Sequence, residues 1–385
     1  MMPATAPPRA APGARERTAT RIMFFIAGFG MAAWAPIIPY AKARSGADAA
    51  LLGLLLLCLG IGSIVMMPFA GALAARFGCR SVFVAATLAL CLGLPALATA
   101  SGIAALALAI LVFGASMGAI DVTANIQAII VERAAGRAMM SGFHGLFSLG
   151  GMAGAGGMTL LLGAGLPPLP ATLGVAAGIL AALLFGAAGM LPYGGHSEGP
   201  VFALPRGVVL FIGLMCCLVF LTEGAVLDWS AVFLTAVRGV APAYAGLGYA
   251  AFAATMTAGR LLGDRVVERH GRRRVIVTGS LCAAAGLVLT ALVPSWPMAL
   301  AGYALVGLGC SNVVPVLFTS VGRQTAMPEH VAVPAITTLG YAGILAGPAA
   351  IGFLARAASL QAAFLTVAAL MLAVAAAGRM LRVPA

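Results

Sequence analysis

The chain has 385 residues, of which 62% are apolar and only 8% are Asp, Glu, Lys or Arg, whereas an ordinary water-soluble domain carries roughly a quarter charged residues. So few charges cannot clothe a soluble fold of this size, and the apolar residues come in runs of about 20, enough to cross about 30 Å of hydrocarbon as helices. The formal charge of +12 does not mark a nucleic-acid binder, because the basic residues fall in short gaps between apolar runs without aromatic interleaving.

Residues 1–20 are rich in Pro, Ala and Arg and have no apolar core, which predicts a disordered cytoplasmic tail and not a cleaved signal. Six spans are then predicted to begin near Arg21, Ala50, Ser81, Ile103, Met139 and Pro168, forming a bundle over 21–192. A polar gap at 193–206 predicts a cytoplasmic linker. Six further spans begin near Gly207, Ala243, Val275, Pro297, Val331 and Ser359, forming a second bundle over 207–385. The predicted fold is an all-α integral membrane protein of twelve transmembrane helices in two six-helix bundles related by pseudo-twofold symmetry.

With the N-terminal tail in the cytoplasm, eighteen of the 22 basic residues, Arg260 among them, fall on the inner side, and only Lys42, Arg44, Arg238 and Arg356 fall outside. The positive-inside rule therefore places both termini in the cytoplasm, and a plasma (inner) membrane is the expected location. Glycines recur as small-xxx-small pairs, Gly114 with Gly118, Gly150 with Gly154, Gly259 with Gly263 and Gly343 with Gly347, a spacing that lets helix backbones approach closely in lipid. The seven cysteines lie mostly inside apolar runs without paired His, so they read as packing residues, and no metal or cofactor is expected.

The two halves resemble each other at a shift of about 195 residues, by which Trp34 falls on Trp229. In each half an apolar span leads into a basic, Gly-containing loop, GALAARFGCR from Gly71 to Arg80 and GRLLGDRVVERHGRRR from Gly259 to Arg274. Paired repeats around a midplane site are how many secondary transporters are built. At these loops the sequence resembles the major facilitator superfamily, whose motif between spans 2 and 3 reads approximately G-x-L-x-D-R-x-G-R-R. Gly71, Leu73, Arg76, Gly78 and Arg80 match it, while the acidic position is Ala75. In the second copy Asp264, Arg265, Gly271, Arg272 and Arg273 carry the pattern with extra residues between Asp264 and Gly271. Span 4, SMGAIDVTANIQ, is similar to the fucose-permease-like branch in placing Asn125 four residues after Asp121. That resemblance implies proton-coupled uptake of a sugar or similar polar solute.

A charge near the bilayer centre costs roughly 3 kcal/mol on insertion scales, so ionisable residues there usually face a polar cavity. Asp121, Glu223 and Asp228 are the predicted proton-coupling residues. Glu223 and Asp228, five residues apart, are separated by about 140° on a helix and share a cavity only if the helix breaks, for which Gly224 is placed. Trp34, Asn125, His144, Trp229 and Asn312 are the predicted substrate-cavity residues, with Pro315 placed to kink span 10 beside the site. The predicted gating loops comprise Gly71, Arg76, Gly78, Arg80, Asp264, Arg265, Gly271, Arg272 and Arg323, with Asp264 expected to pair with basic groups such as Arg323. With Ala75 in the first copy, the two halves are expected to be latched unequally.

GASMG at Gly114 to Gly118 fits a hydrolase nucleophile pattern, but it lies within a span where the required strand, turn and helix cannot form. Without nucleotide or metal motifs, the expectation is a non-enzymatic carrier, a proton-coupled symporter alternating access between its bundles. Proton-driven efflux of small amphipathic compounds is the alternative. The expected partners are a small solute, protons and the lipid bilayer, with no nucleic acid; a monomer suffices for this architecture.

Overall fold

The computed structural model describes residues 12–46, 49–194, 204–240 and 247–381. The first half contains α1 (Ala14–Ala33), a short α2 (Ile38–Ser45), α3 (Ala49–Thr99), α4 (Ile103–Ala135), α5 (Met140–Gly163) and α6 (Pro168–Ala187). The second half contains α7 (Gly207–Ala236), α8 (Leu247–His270), α9 (Arg272–Leu292), α10 (Trp296–Cys310), α11 (Val313–Val321), α12 (Glu329–Ala357) and α13 (Leu360–Met380). α1 begins at Ala14, so the last seven residues of the expected tail are helical. Residues 1–11 of that tail, and 195–203 of the expected linker, lie outside the described residues.

Ten helices among the described residues are long and apolar enough to cross a membrane. α3 supplies two crossings, because Gly78 interrupts it at φ 84° and ψ 156°. α8 is a further crossing of 24 residues, about 36 Å at 1.5 Å per residue; Arg260, Asp264, Arg265, Glu268 and Arg269 lower its hydropathy. α10 and α11 make one crossing bent at Ser311 and Asn312. The total is twelve, as expected. The motif segments differ from the expectation: both were predicted as loops, yet Gly71 to Phe77 is helical up to Gly78, and Gly259 to His270 is helical up to Gly271.

Within the first half α3 packs on α4 and α6, and α1 on α5; within the second, α7 packs on α12, and α9 on α10 and α13. Glycines set these distances. Gly114 and Gly118 bring α4 against the backbone of Leu59 and Ser63 on α3, and Gly150 and Gly154 bring α5 against Phe25 and Phe29 on α1, where any Cβ would collide with main chain.

The repeat is visible in backbone detail. Gly78 and Gly271 adopt matching left-handed conformations, φ 84° and 78°, ψ 156° and 153°, a region closed to most side chains. Two arginines cap equivalent helix ends: Arg44 Nη2 donates to Leu97 O at 2.7 Å, and Arg238 Nη2 donates to Thr290 O at 2.6 Å. Each meets carbonyls left without intrahelical partners at a helix C-terminus, where the dipole favours a cation. The bundles face one another through α5 with α8 and α3 with α12. These contacts run from Gly60 against Leu345, about halfway along α3's first arm, to the end that carries the helix starts of α1, α7 and α12. We call that the basic end.

Candidate transport site and gate

Pro315 organises the centre of the second bundle. Proline has no N–H and its ring crowds the carbonyl four residues earlier, which here is Ser311 O, at the bend between α10 and α11. Arg260 Nε approaches that freed carbonyl at 3.4 Å. Gly259 and Gly263 allow the approach, since a Cβ at either would strike Ser311 or Asn312. Asn312 fastens the same joint, its Nδ2 donating to Gly259 O at 3.0 Å and to Ser311 Oγ at 3.0 Å.

Arg260 is 6% exposed and reaches across to the first bundle, its Nη1 donating to Ser148 Oγ on α5 at 3.1 Å. Its Nη2 lies 3.7 Å from Glu223 Oε1 on α7. Arg260 was expected in a cytoplasmic loop; the structure corrects this and buries it as the counter-ion of Glu223. The sequence offered a signal for it, because a 20-residue span counted from Ala243 ends beyond Arg260. Ser148 and Ser311 were likewise not foreseen, and neither residue type marks a site without its neighbours.

His144 stands on α5 beside this group, wedged between Phe24 at 5.1 Å and Phe318 of the second bundle at 5.8 Å, with Nε2 buried and unpartnered. Asp121 forms a second polar centre on α4, where Asn125 Nδ2 donates to its Oδ1 at 3.1 Å and to its backbone oxygen at 2.9 Å. α4, which carries this pair, packs against α12 of the second bundle. The remaining predicted residues are separate. α7 runs unbroken through Gly224, so Glu223 and Asp228 stay on different faces, and Asp228 is exposed. Trp34 is buried near the far end of α1, and Trp229 packs against Gly352 of α12; both indole N–H groups are buried without a hydrogen-bond partner.

At the basic end, carboxylates hold the N-terminus of α5. Glu132 Oε2 accepts from the N–H groups of Met139 and Met140 at 2.8 and 2.7 Å, and its Oε1 accepts from Thr319 Oγ1 of the second bundle at 2.6 Å. Asp264 Oδ2, from the second bundle, accepts from Gly142 N at 3.0 Å. A helix N-terminus has unpaired N–H groups and a positive dipole end, so both anions are well placed there. The partner of Asp264 is therefore the α5 backbone and not Arg323. Arg133 crosses in the opposite sense, forming an ion pair with Glu329 and donating to Gly322 O. Of the other motif residues, Arg76 and Arg265 are exposed, with Arg76 lying over the Phe77 ring at 5.0 Å. Arg80 donates through its backbone N–H to Leu191 O at 2.8 Å. Arg272 is half-buried with Nε unpartnered. No group of three or more His, Cys, Asp or Glu is placed to hold a metal among the described residues.

Two helical bundles with buried charges on their shared faces define a membrane carrier by class. The Major Facilitator Superfamily model matches residues 210–385. An uncharacterised MFS-type transporter of Yersinia pestis is 56% identical over 369 residues, covering 96% of each chain. The chain belongs to the major facilitator superfamily. Its fold is also that of the E. coli fucose:proton symporter FucP, with a TM-score of 0.78 at 14% identity over 95% of this chain and 97% of that one. FucP in the outward conformation gives 0.80 at 15% identity, over 94% and 98%.

Proposed function

We propose that the protein is a proton-coupled secondary transporter that carries a small polar solute by alternating access between its two bundles. It works as a monomer in the inner membrane, the bundles spanning 21–192 and 207–385, with both termini and the 193–206 linker in the cytoplasm. The observation that carries this reading is the buried Glu223–Arg260 pair, tied across the bundle interface to Ser148. A charge pair so little exposed is unfavourable unless it serves a polar chamber or a moving interface. Asp121, on α4 where that helix packs against α12 of the second bundle, supplies a second protonatable group.

With the basic end in the cytoplasm, the contacts from Gly60–Leu345 down to Arg133–Glu329 support a closed inner side, the arrangement expected of a carrier that awaits solute from outside. Solute and proton enter from outside; the inner contacts then part as the bundles rock. The related E. coli fold belongs to a fucose:proton symporter, which supports the same cycle here by analogy of architecture.

The test is uptake by proteoliposomes under an imposed pH gradient, over a panel of sugars, sugar acids and amphipathic compounds. Accumulation of one of the first two classes, abolished by a protonophore, is the expected result. Absence of proton-linked accumulation for every compound would refute the reading.

A further inference from the structure

A buried guanidinium is settled when both edges of its planar fork are hydrogen-bonded. Arg260 is not. Nη1 is held by Ser148 Oγ at 3.1 Å and Nε by Ser311 O at 3.4 Å, but Nη2 faces Glu223 Oε1 at 3.7 Å, beyond hydrogen-bonding distance. That Oε1 is itself buried with no hydrogen-bond partner. Two buried charges that attract without a hydrogen bond recover little of their desolvation cost. One edge of the fork is thus spare.

The neighbours leave Glu223 as the group that answers Arg260. On α5, His144 is enclosed by Phe24 and Phe318. α8 carries Tyr249, against Phe252, α10 the buried Cys310, and α12 Tyr341, against Phe220. On α7 itself, Cys216 is buried and Asp228 is exposed on another face. Glu223 is the one carboxylate paired with Arg260 among the described residues.

Resting on the transporter reading above, we propose that the transported solute is a carboxylic acid, whose carboxylate replaces Glu223 on the spare edge of Arg260 while Glu223 takes the coupled proton. The charge balances at each stage. Before binding, the cation of Arg260 faces the anion of Glu223; after binding, it faces the anion of the solute, and Glu223 is neutral. One monoanion and one proton cross together, so no net charge moves. A phosphate ester, at roughly −1.5 to −2, would leave the buried site negative and is a poorer fit.

The experiment uses the full chain, purified into nanodiscs, with matched probes: glucose and glucuronate, galactose and galacturonate, propane-1,2-diol and lactate, and glucose 6-phosphate as the dianion. At least one acid is expected to bind where its neutral counterpart does not, and more tightly as pH falls, because a proton on Glu223 frees Arg260. Arg260→Gln loses that binding by about thirtyfold or more, the size expected for truncating one partner of a buried charge contact. Glu223→Gln binds the acid at neutral pH with little dependence on pH. In proteoliposomes the acid accumulates with an inside-alkaline gradient and does not respond to a potassium–valinomycin potential.

Failure of every acid to bind overturns the inference, as does uptake driven by membrane potential alone. If Arg260→Gln does not fold, Arg260→Lys and Glu223→Gln decide the matter, since a flat pH response in Glu223→Gln is required. Proton-linked uptake of neutral sugars with no response to acids defeats the carboxylate assignment while leaving the transporter reading intact. No proton-linked uptake at all defeats the transporter reading.

Discussion

The two seams that join the bundles at the basic end are related by the repeat, yet they are made of different material. The α5–α8 seam is polar: Asp264 accepts from Gly142 N, and Arg260 donates to Ser148. The α3–α12 seam is close-packed and largely apolar, with Gly60 against Leu345, Gly71 against the backbone of His330, and a weak contact from Thr338 Oγ1 to Met67 Sδ at 3.7 Å. Duplicated halves keep the same helix positions because backbone geometry demands it, whereas the groups that hold a seam closed are free to diverge. Counted back from the matched Gly78 and Gly271, Asp264 stands in register with Gly71 and Glu268 with Ala75, and the first copy's seam closes by steric fit.

The comparison breaks most severely at Arg260. Arg260→Gln leaves Glu223 buried without its counter-ion, and losing one member of such a pair costs roughly 3–5 kcal/mol. The thermal midpoint in detergent is expected to fall on that scale, and uptake to drop by about thirtyfold or more with the lost charge contact. The double variant Arg260→Gln/Glu223→Gln removes both charges and is expected to recover the midpoint but not the uptake. Recovery of neither would mean that the pair is not what makes the single variant unstable. The apolar seam is probed by Gly71→Ala, whose Cβ would collide with the His330 carbonyl oxygen. Because that neighbour is main chain, relief requires α3 and α12 to separate, at about 1–3 kcal/mol for forced overpacking. Cysteine labelling from the basic end should then increase; unchanged labelling would show that the seam is looser than its geometry.

The reading of spans from sequence succeeded where long apolar runs dominate, as from α3 to α6, because burial in lipid imposes a length that no local detail overrides. Asp121 and Asn125 were legible as a pair, since spacing of one helical turn puts them on neighbouring faces whatever surrounds them. Arg260 was not. A basic residue beside a predicted membrane edge reads as topology, and its pairing with Glu223 depends on the approach of α7 and α8, which no sequence spacing encodes. The kink expected from Pro315 did form, but its consequence, a carbonyl freed for Arg260, emerges only with α8 in place. The partner of Asp264 is hidden from the sequence for a related reason. Charge patterning suggests arginines, whereas the nearest donor is the α5 backbone, invisible in composition.

Asp264→Asn sharpens the comparison at the polar seam. The amide keeps an oxygen for Gly142 N but loses the charge that favours a helix N-terminus, worth about 1–2 kcal/mol in a partly buried setting. The state closed at the basic end is expected to lose about five- to thirtyfold in population, and transport to weaken while insertion persists. Wild-type uptake and unchanged labelling would remove Asp264 from the gate.

The smallest effect belongs to the rim pair, Arg133 with Glu329. Arg133 is 51% exposed, so the pair is screened by solvent and salt. Exposed ion pairs contribute between nothing and about 1 kcal/mol, so Glu329→Gln is expected to change uptake by no more than about fivefold. Its dependence on ionic strength is the discriminating measurement. Wild type and Glu329→Gln should converge as salt rises, while Asp264→Asn, acting at a half-buried helix end, should stay apart from wild type. If Glu329→Gln instead matched Asp264→Asn at all salt concentrations, Glu329 at the head of α12 would stand equal to Asp264 at the head of α5. The two seams would then be latched alike.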